Sequence, residues 1–100
     1  MPKYICLGNF TQQGVTNIAD APKRDESARR LAELAGGNAQ IYYTLGEYDF
    51  VALIEMPNDE SMLKFLIQMC STGNVVTKTL KAWSDSEFAN IVAQMKVSLK

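Results

Sequence analysis

Two short runs of β-branched and aromatic residues meet at Gly46 and Glu47, and this arrangement constrains the fold more than any other feature. Residues 39–56 read AQIYYTLGEYDFVALIEM. These residue types favour strands. A glycine at the first central position of a two-residue loop suits a type II′ turn, which needs a positive φ there. The segment therefore predicts a tight antiparallel hairpin.

The position of the turn sets the register, because paired residues in an antiparallel ladder share one side of the sheet. The predicted pairs are Leu45 with Tyr48, Thr44 with Asp49, Tyr43 with Phe50, Tyr42 with Val51, Ile41 with Ala52 and Gln40 with Leu53. One side is then mostly apolar: Ala39, Ile41, Tyr43, Leu45, Tyr48, Phe50, Ala52 and Ile54. The other side is mixed: Gln40, Tyr42, Thr44, Asp49, Val51, Leu53 and Glu55. We expect helices to cover the first side and solvent or a partner to meet the second.

The composition is that of one globular domain spanning residues 1–100. Hydrophobic residues make up 47% of the chain and charged residues 21%, as is ordinary for globular domains. A net charge of −1 gives no electrostatic attraction to nucleic acid or an anionic membrane, so we expect neither as a partner. Residues 1–10 lack the apolar run of a signal peptide, and no segment approaches a membrane span. A cytoplasmic protein is expected.

Residues suited to metal or acid–base chemistry are sparse. The chain contains no histidine, which removes the commonest metal ligand and the usual general base at neutral pH. Cys6 and Cys70 lack CxxC spacing, so we expect two buried free thiols rather than a disulfide or a metal site. The sequence predicts neither a metal nor a cofactor.

The segment before the hairpin predicts a strand followed by helices. Lys3 to Phe10 is apolar on both alternating sets of residues, as in a buried strand. Thr11 is placed to cap a short helix, which Gly14 weakens. A second helix begins near Pro22 and ends at the Gly36-Gly37 pair.

The segment after the hairpin predicts a helix, a strand and a last helix. Asn58 is placed to cap a helix that ends at Gly73. Residues 74–82 alternate polar and apolar residues and predict an edge strand, with lysines that discourage further pairing. Ser84 and Glu87 form a capping box. They begin an amphipathic helix with apolar positions Phe88, Ile91, Val92, Met95 and Leu99.

This order, βαββαβ with an extra C-terminal helix, predicts a ferredoxin-like α+β fold with the first and third strands central and parallel. Helices cover only one side of such a sheet. Tyr42, Val51 and Leu53 on the other side would meet a partner. We therefore expect a homodimer or higher oligomer that pairs its open sheet faces, as in dimeric α+β barrels. The terminal helix would either fold over its own sheet or clasp a neighbour.

Six residues are the candidate ligand-binding residues. Tyr42, Thr44, Tyr48 and Asp49 lie near the turn, and Thr11 and Gln12 lie where the first strand meets a helix. A carboxylate, a hydroxyl and a phenol between subunits would suit a small polar ligand, and burial would let Asp49 act as a general base. We favour the plainer roles, in which Asp49 hydrogen-bonds backbone amides at the turn, Tyr48 packs in the core and Thr11 caps its helix.

Two further features allow a functional and a structural interpretation. The basic residues Lys23, Arg24, Arg29 and Arg30 would suit a carboxylate or phosphate, but acidic residues interleave with them. This pattern favours a solvated helix face. Trp83 is interpreted as a packing residue or interface anchor.

The segment from Thr44 to Val51, TLGEYDFV, resembles the GYD domain family, bacterial proteins named for glycine, tyrosine and aspartate at this turn. Further landmarks occur in the family's order: Tyr4-Ile5, the segment FTQQG from Phe10 to Gly14, Pro22-Lys23-Arg24 and Gly73-Asn74-Val75. The resemblance implies a ferredoxin-like α+β domain without an established activity. The turn and Gly73-x-Val75 are also similar to the effector-binding domains of leucine-responsive feast/famine regulators, which dimerise through their sheets and bind amino acids between subunits.

These features favour a homo-oligomeric module that binds a small molecule or assembles with partners. The alternative is a cofactor-independent oxygenase or isomerase acting on a small aromatic or carbonyl substrate, by analogy with other dimeric α+β barrels. That alternative requires an enclosed apolar pocket containing Asp49 or a tyrosine. A purely structural subunit of a larger ring is a third hypothesis.

Overall fold

A computed structural model describes residues 1–95 and shows a four-stranded antiparallel sheet with helices against one face. The elements are β1 (Lys3–Phe10), α1 (Gln12–Thr16), a 3-10 turn (Ile18–Asp20), α2 (Ala21–Leu34), β2 (Asn38–Tyr43), β3 (Phe50–Glu55), α3 (Asp59–Cys70), β4 (Val75–Ala82) and α4 (Asp85–Ala93). The strand order is β2-β3-β1-β4. This is the predicted ferredoxin-like α+β fold. The predicted α4 position Leu99 lies outside the described residues.

The two central strands, β1 and β3, are antiparallel. Tyr4 pairs with Ile54 and Gly8 pairs with Phe50. The prediction that these strands are central is confirmed, but the prediction that they are parallel is wrong. The crossover through α1 and α2 makes β2 parallel to β1, and the hairpin then reverses the chain. A β3 strand beside β1 must therefore run in the opposite direction.

The predicted hairpin register is confirmed, but the connection is wider than two residues. Tyr43 pairs with Phe50 and Gln40 pairs with Leu53. The strands stop at Tyr43 and Phe50, and one further hydrogen bond joins the Thr44 amide to the Asp49 carbonyl at 3.0 Å. Leu45 is fully exposed. Its predicted place on the covered side is wrong, because the regular ladder ends before it.

The predicted helix boundaries depend on caps that the structure confirms. Thr11 Oγ1 accepts a hydrogen bond from the Gly14 amide at 3.1 Å, and Asn58 Oδ1 accepts one from the Ser61 amide at 2.8 Å. Gly36 ends α2 with a φ of +90°, the left-handed conformation typical of a C-terminal glycine. None of the helices within residues 1–95 is long and apolar enough to cross a membrane.

The core lies between the sheet and helices α2 and α3. Its buried residues are Tyr4, Cys6, Ala28, Ala32, Ala52, Ile54, Met56, Met62 and Phe65. Both cysteines are free thiols, with Cys6 buried and Cys70 only partly buried. Burial raises the pKa of the Cys6 thiol, so the thiolate that reacts with oxidants and metals is disfavoured there.

Candidate functional site

The side of the sheet without helices is apolar at its centre. Ile5 of β1 is opposite Leu53 of β3 and Leu80 of β4, and Leu7 is opposite Val51. Residues opposite each other project to the same side of the sheet. Leu53 and Leu80 remain 42% and 52% exposed. These five aliphatic side chains form a continuous patch across three strands.

This patch continues to both edges of the sheet. On the β2 side, Tyr42 is opposite Val51 and 56% exposed. On the β4 side, Val76 is 58% exposed, and Lys78 is opposite Leu7. We call the patch the open face; its apolar members are Ile5, Leu7, Tyr42, Val51, Leu53, Val76 and Leu80. Its polar border and apolar centre have the pattern of a protein interface.

A second exposed apolar surface lies on α4 (Asp85–Ala93) and continues to Met95, two residues past its end. Its four residues, which we call the α4 stripe, are each 45–62% exposed: Phe88, Ile91, Val92 and Met95. The capping box predicted from Ser84 and Glu87 is present. Lys3 Nζ lies 3.2 Å from Glu87 Oε1. Lys3 and Ile5 are two residues apart along β1, so both side chains project to the side of the open face. The ion pair therefore attaches the first turn of α4 on that side.

Apart from this ion pair, the described part of α4 packs only loosely against the rest of the fold. None of its residues is buried. The radius of gyration of 15.9 Å exceeds the ~13 Å of a compact domain of this length. Beside the start of α4, a groove of about 270 Å³ is lined in part by Ile5, Leu53 and Trp83, and Trp83 is 56% exposed. The open face, this groove and the α4 stripe form the candidate docking surface.

Asp49 connects the hairpin to the end of β1. Its Oδ2 accepts a hydrogen bond from the Phe10 amide at 2.9 Å. Its own amide donates to the Gly8 carbonyl at 2.9 Å and to Asn9 Oδ1 at 3.1 Å. The carboxylate thus binds a backbone amide, as in the plainer of the two interpretations, but the amide belongs to β1 rather than to the turn.

The other predicted ligand-binding residues make separate local contacts. Thr44 Oγ1 donates to the Tyr48 carbonyl at 2.6 Å, and Tyr48 is half-buried. Thr11 Oγ1 donates to the Gly73 carbonyl at 2.6 Å. Gln12 is exposed, with its Nε2 3.5 Å from Thr16 Oγ1. Of the predicted set, hydrogen bonds join Thr44 to Tyr48 and to the Asp49 carbonyl, and Tyr42 stands apart on the open face.

A cavity that the sequence did not indicate lies on the other side of the sheet, under the helices; we call it the helix-side cavity. Its volume is about 70 Å³. Most of its lining is apolar: Cys6, Phe10, Ala28, Ala39, Ile41, Phe50, Ala52, Ile54, Phe65, Leu66, Met69 and Val75. The exposed lining residues Tyr43 and Thr72 mark its opening. The sequence feature that could have indicated this cavity is the presence of small residues, such as Ala39 and Ala52, at positions predicted to face the core.

Three aromatic rings form one wall of this cavity. The Phe10 and Tyr43 rings stack with centroids 6.0 Å apart, and the Phe50 ring lies 6.1 Å from Phe10 and 6.3 Å from Tyr43. Tyr43 Oη donates to Asp25, whose two carboxylate oxygens lie at 2.9 Å and 2.8 Å. Partial burial and these hydrogen bonds raise the pKa of Tyr43 to about 12. The phenol is therefore protonated at neutral pH.

Arg24 also lines the cavity. Its Nη1 donates to the Asn17 carbonyl at 3.0 Å. Its Nη2 is buried and has no acceptor among residues 1–95. Arg24 therefore differs from Arg29 and Arg30, which are exposed on the same helix. Within the described part of the chain, no cluster of Asp, Glu and Cys side chains is arranged to hold a metal ion.

Comparisons with known proteins agree on the family and the fold. The GYD domain family model matches residues 4–92. A protein of Thermus thermophilus named glutamine synthetase and cystathionine beta-lyase binding protein is 29% identical over 98 residues, which cover 96% of this chain and all of the relative.

A solved structure shares the fold at much lower identity. This crystal structure, of a protein provisionally named chlorite dismutase, superposes with a TM-score of 0.59 at 12% identity and covers 87% of this chain. The match spans only 47% of the longer protein. The likeness shows a common fold and nothing about activity, since an identity this low carries no functional assignment.

Proposed function

Because the chain belongs to the GYD domain family, and because a relative in Thermus thermophilus is named for binding two enzymes, we propose that it is a cytoplasmic homo-oligomeric module that binds other proteins. The observation that carries this proposal is the open face. Large exposed apolar patches with polar borders mark association surfaces in soluble proteins. We assign the open face to a second copy of the chain and the binding of other proteins to the resulting oligomer.

The pattern of the open face supports pairing with itself. Its aliphatic centre, Ile5, Leu7, Val51, Leu53 and Leu80, is flanked by Tyr42 on one edge and Lys78 on the other. A two-fold axis through the centre would place aliphatic residues against aliphatic residues. It would leave Tyr42 and Lys78 at the rim, where an isologous interface tolerates polar groups.

The open face alone is small for the proposed dimer interface, which supports a role for α4 in it. A face of four strands is roughly 19 Å wide, and a six-residue strand is roughly 20 Å long, so the projected area is about 400 Å². A stable interface buries about 800 Å² on each partner. The α4 stripe is exposed and begins on the same side of the sheet. We propose that α4 of each copy packs against the other copy and supplies the remaining area.

The helix-side cavity bears on the enzymatic alternative. Tyr43 lines it, whereas Asp49 is engaged with the Phe10 amide. A general base must accept a proton near neutral pH. Tyr43 is instead a protonated donor to Asp25. The geometry therefore favours binding over an oxygenase or isomerase reaction.

Light scattering on a substituted open face tests the assembly. We expect the wild-type protein to be a dimer or larger oligomer at micromolar concentration. Leu53→Glu should give a monomer, because a carboxylate would be buried without a partner at the interface. Leu34→Glu is the matched control, since Leu34 is 76% exposed on α2 and outside the open face. A monomeric wild-type protein, or an L53E protein that assembles like wild type, would contradict the proposal.

The same proteins test the binding of other proteins. Purified glutamine synthetase and cystathionine beta-lyase of Thermus thermophilus are the probes, because the relative is named for binding them. We expect wild type and L34E to form a larger complex with at least one probe in size-exclusion chromatography, and L53E to lose it. If wild type binds neither probe while assembling as expected, the oligomer assignment survives and the protein-binding assignment does not.

A further inference from the structure

We propose that the helix-side cavity is a binding site for a small monocarboxylate with a short apolar tail, and that Arg24 holds the carboxylate. The site lies within one subunit, between the sheet and helices α2 and α3. It differs from the sequence-based hypothesis, which placed ligand binding between subunits at Tyr42, Thr44 and Asp49. It is also independent of the proposed docking surface, because the cavity and the open face lie on opposite sides of the sheet.

The lining of the cavity selects an apolar tail. The small side chains of Ala28, Ala39 and Ala52 leave the cavity unfilled, and Phe65 and Met69 are among the larger side chains that surround it. Apolar cavity walls accept hydrocarbon groups, and a cavity of about 150 Å³ accommodates benzene. By that ratio, the 70 Å³ cavity has room for roughly three carbon atoms. The isopropyl end of 3-methylbutanoate has this size, and its methylene group leads out to the carboxylate.

Arg24 supplies the group that recognises the charge. One side of its guanidinium is fixed by the hydrogen bond from Nη1 to the Asn17 carbonyl. The buried Nη2 has no acceptor within residues 1–95, although leaving a buried charged donor unsatisfied is costly. A carboxylate is the acceptor best matched to a guanidinium in charge and geometry.

The neighbouring acidic residue does not take this role. Both oxygens of Asp25 lie within 2.9 Å of Tyr43 Oη. The ion pairs found among the described residues join Lys3 to Glu87, Lys64 to Glu60 and Lys81 to Asp59, and none includes Arg24. The structure thus provides an apolar space, a fixed cation beside it and a phenol at the opening.

Titration with 3-methylbutanoate tests the site. We expect the amide NMR signals of Ala28, Ala39 and Ala52 to shift on titration up to about 10 mM, above the millimolar Kd expected for so small a ligand. Arg24→Gln should weaken binding at least tenfold, by loss of the charged hydrogen bond. Arg30→Gln, on the exposed part of the same helix, is the matched control and should bind like wild type.

Two further comparisons separate a specific site from general uptake into the core. The neutral 3-methylbutan-1-ol has the same tail and should bind at least tenfold more weakly than the carboxylate. Ala39→Leu fills the cavity and should abolish the shifts, with thermal unfolding used to show that the variant is folded. Absence of shifts in wild type, equal binding by R24Q, or equal binding of the alcohol would overturn the proposal. L53E should retain binding, since a monomer keeps the complete site.

Discussion

At the scale of single residues, the carboxylate of Asp59 at the start of α3 joins three elements of the fold. Tyr4 Oη of β1 donates to Asp59 Oδ1 at 2.5 Å, and Lys81 Nζ of β4 lies 3.0 Å from the same oxygen. The hydrogen bond from Tyr4, followed by that from Lys81, lowers the pKa of Asp59 from its ordinary 3.8. Burial and the hydrogen bond to Asp59 raise the pKa of Tyr4 to about 12.

The lowered pKa of Asp59 predicts a loss of stability in acid. Since the pKa of Asp59 is lower in the folded state, its contribution is complete above about pH 4 and is lost as pH falls through the lowered value. We expect the urea unfolding midpoint to fall more for wild type than for Asp59→Asn between about pH 5 and about pH 3. Asp20→Asn, at an exposed position, is the control. An equal fall in wild type and D59N would contradict the role of Asp59.

The sequence identified residue types better than residue environments. Thr11, Asn58 and Ser84 were predictable as caps, because the cap depends on a few neighbouring residues. Arg24 was predicted on a solvated helix face with Arg29 and Arg30. Its environment depends on Asn17 and on the strands across the cavity, and a charge pattern within one helix carries no information about those distant contacts.

At the scale of elements, α1 is fixed against the loop between α3 and β4. The Thr11 amide donates to the Asn74 carbonyl at 3.0 Å, and Gln13 Nε2 donates to the Thr72 carbonyl at 3.0 Å. Gly14 is buried where the two segments meet, and a Cβ at this position would lie 2.1 Å from the Asn74 carbonyl oxygen. Gly14 therefore permits close approach of two backbones and is more than a weak helix former.

Replacement of Gly14 distinguishes a weak helix former from a residue needed for close backbone approach, because the two roles predict changes in stability of opposite sign. Helix propensity alone would make Gly14→Ala stabilising by up to about 1 kcal/mol. The backbone clash should instead destabilise the fold by about 3 kcal/mol. Chemical denaturation at fixed protein concentration measures the difference.

Gly46→Ala is the matched control for this substitution. Gly46 has a φ of +108° and no atom within 4 Å of a Cβ built there, so only the local backbone cost of about 1–2 kcal/mol applies. If G14A proved as stable as wild type, the observed packing of α1 would be wrong.

The elements themselves were largely predictable, whereas their relation across the sheet was less so. Residue alternation gave the register from Gln40–Leu53 to Tyr43–Phe50, because a shift by one residue reverses every side chain. The predicted two-residue turn was tighter than the observed loop from Thr44 to Asp49. Its conformation depends on hydrogen bonds from Asp49 to β1, which lie outside the hairpin sequence.

At the scale of the whole molecule, α4 offers a test of how two copies pair. We expect Phe88→Asp to raise the dimer dissociation constant at least tenfold, because it places a charge in the α4 stripe. Asn90→Asp is the control, since residue 90 lies on the other side of the same helix and is exposed. Analytical ultracentrifugation measures both constants. Equal dissociation constants for the two variants would exclude the α4 stripe from the interface.

The two large-scale surfaces differ in how far the sequence could anticipate them. The open face follows from alternation within strands and from the rule that helices in this fold cover one side of the sheet. The exposure of Tyr42 and Leu53 agrees with that expectation. The cavity depends on how α2, α3 and the sheet fit together around small residues such as Ala28 and Ala52. No local pattern specifies such a fit.

The chain contains a single tryptophan, Trp83, which lines the groove beside the start of α4. Its indole is more than half exposed in one isolated subunit. Docking of a second copy would remove solvent from that ring and shift its fluorescence to shorter wavelength. Dilution should reverse the shift, so the protein carries its own spectroscopic reporter of self-association.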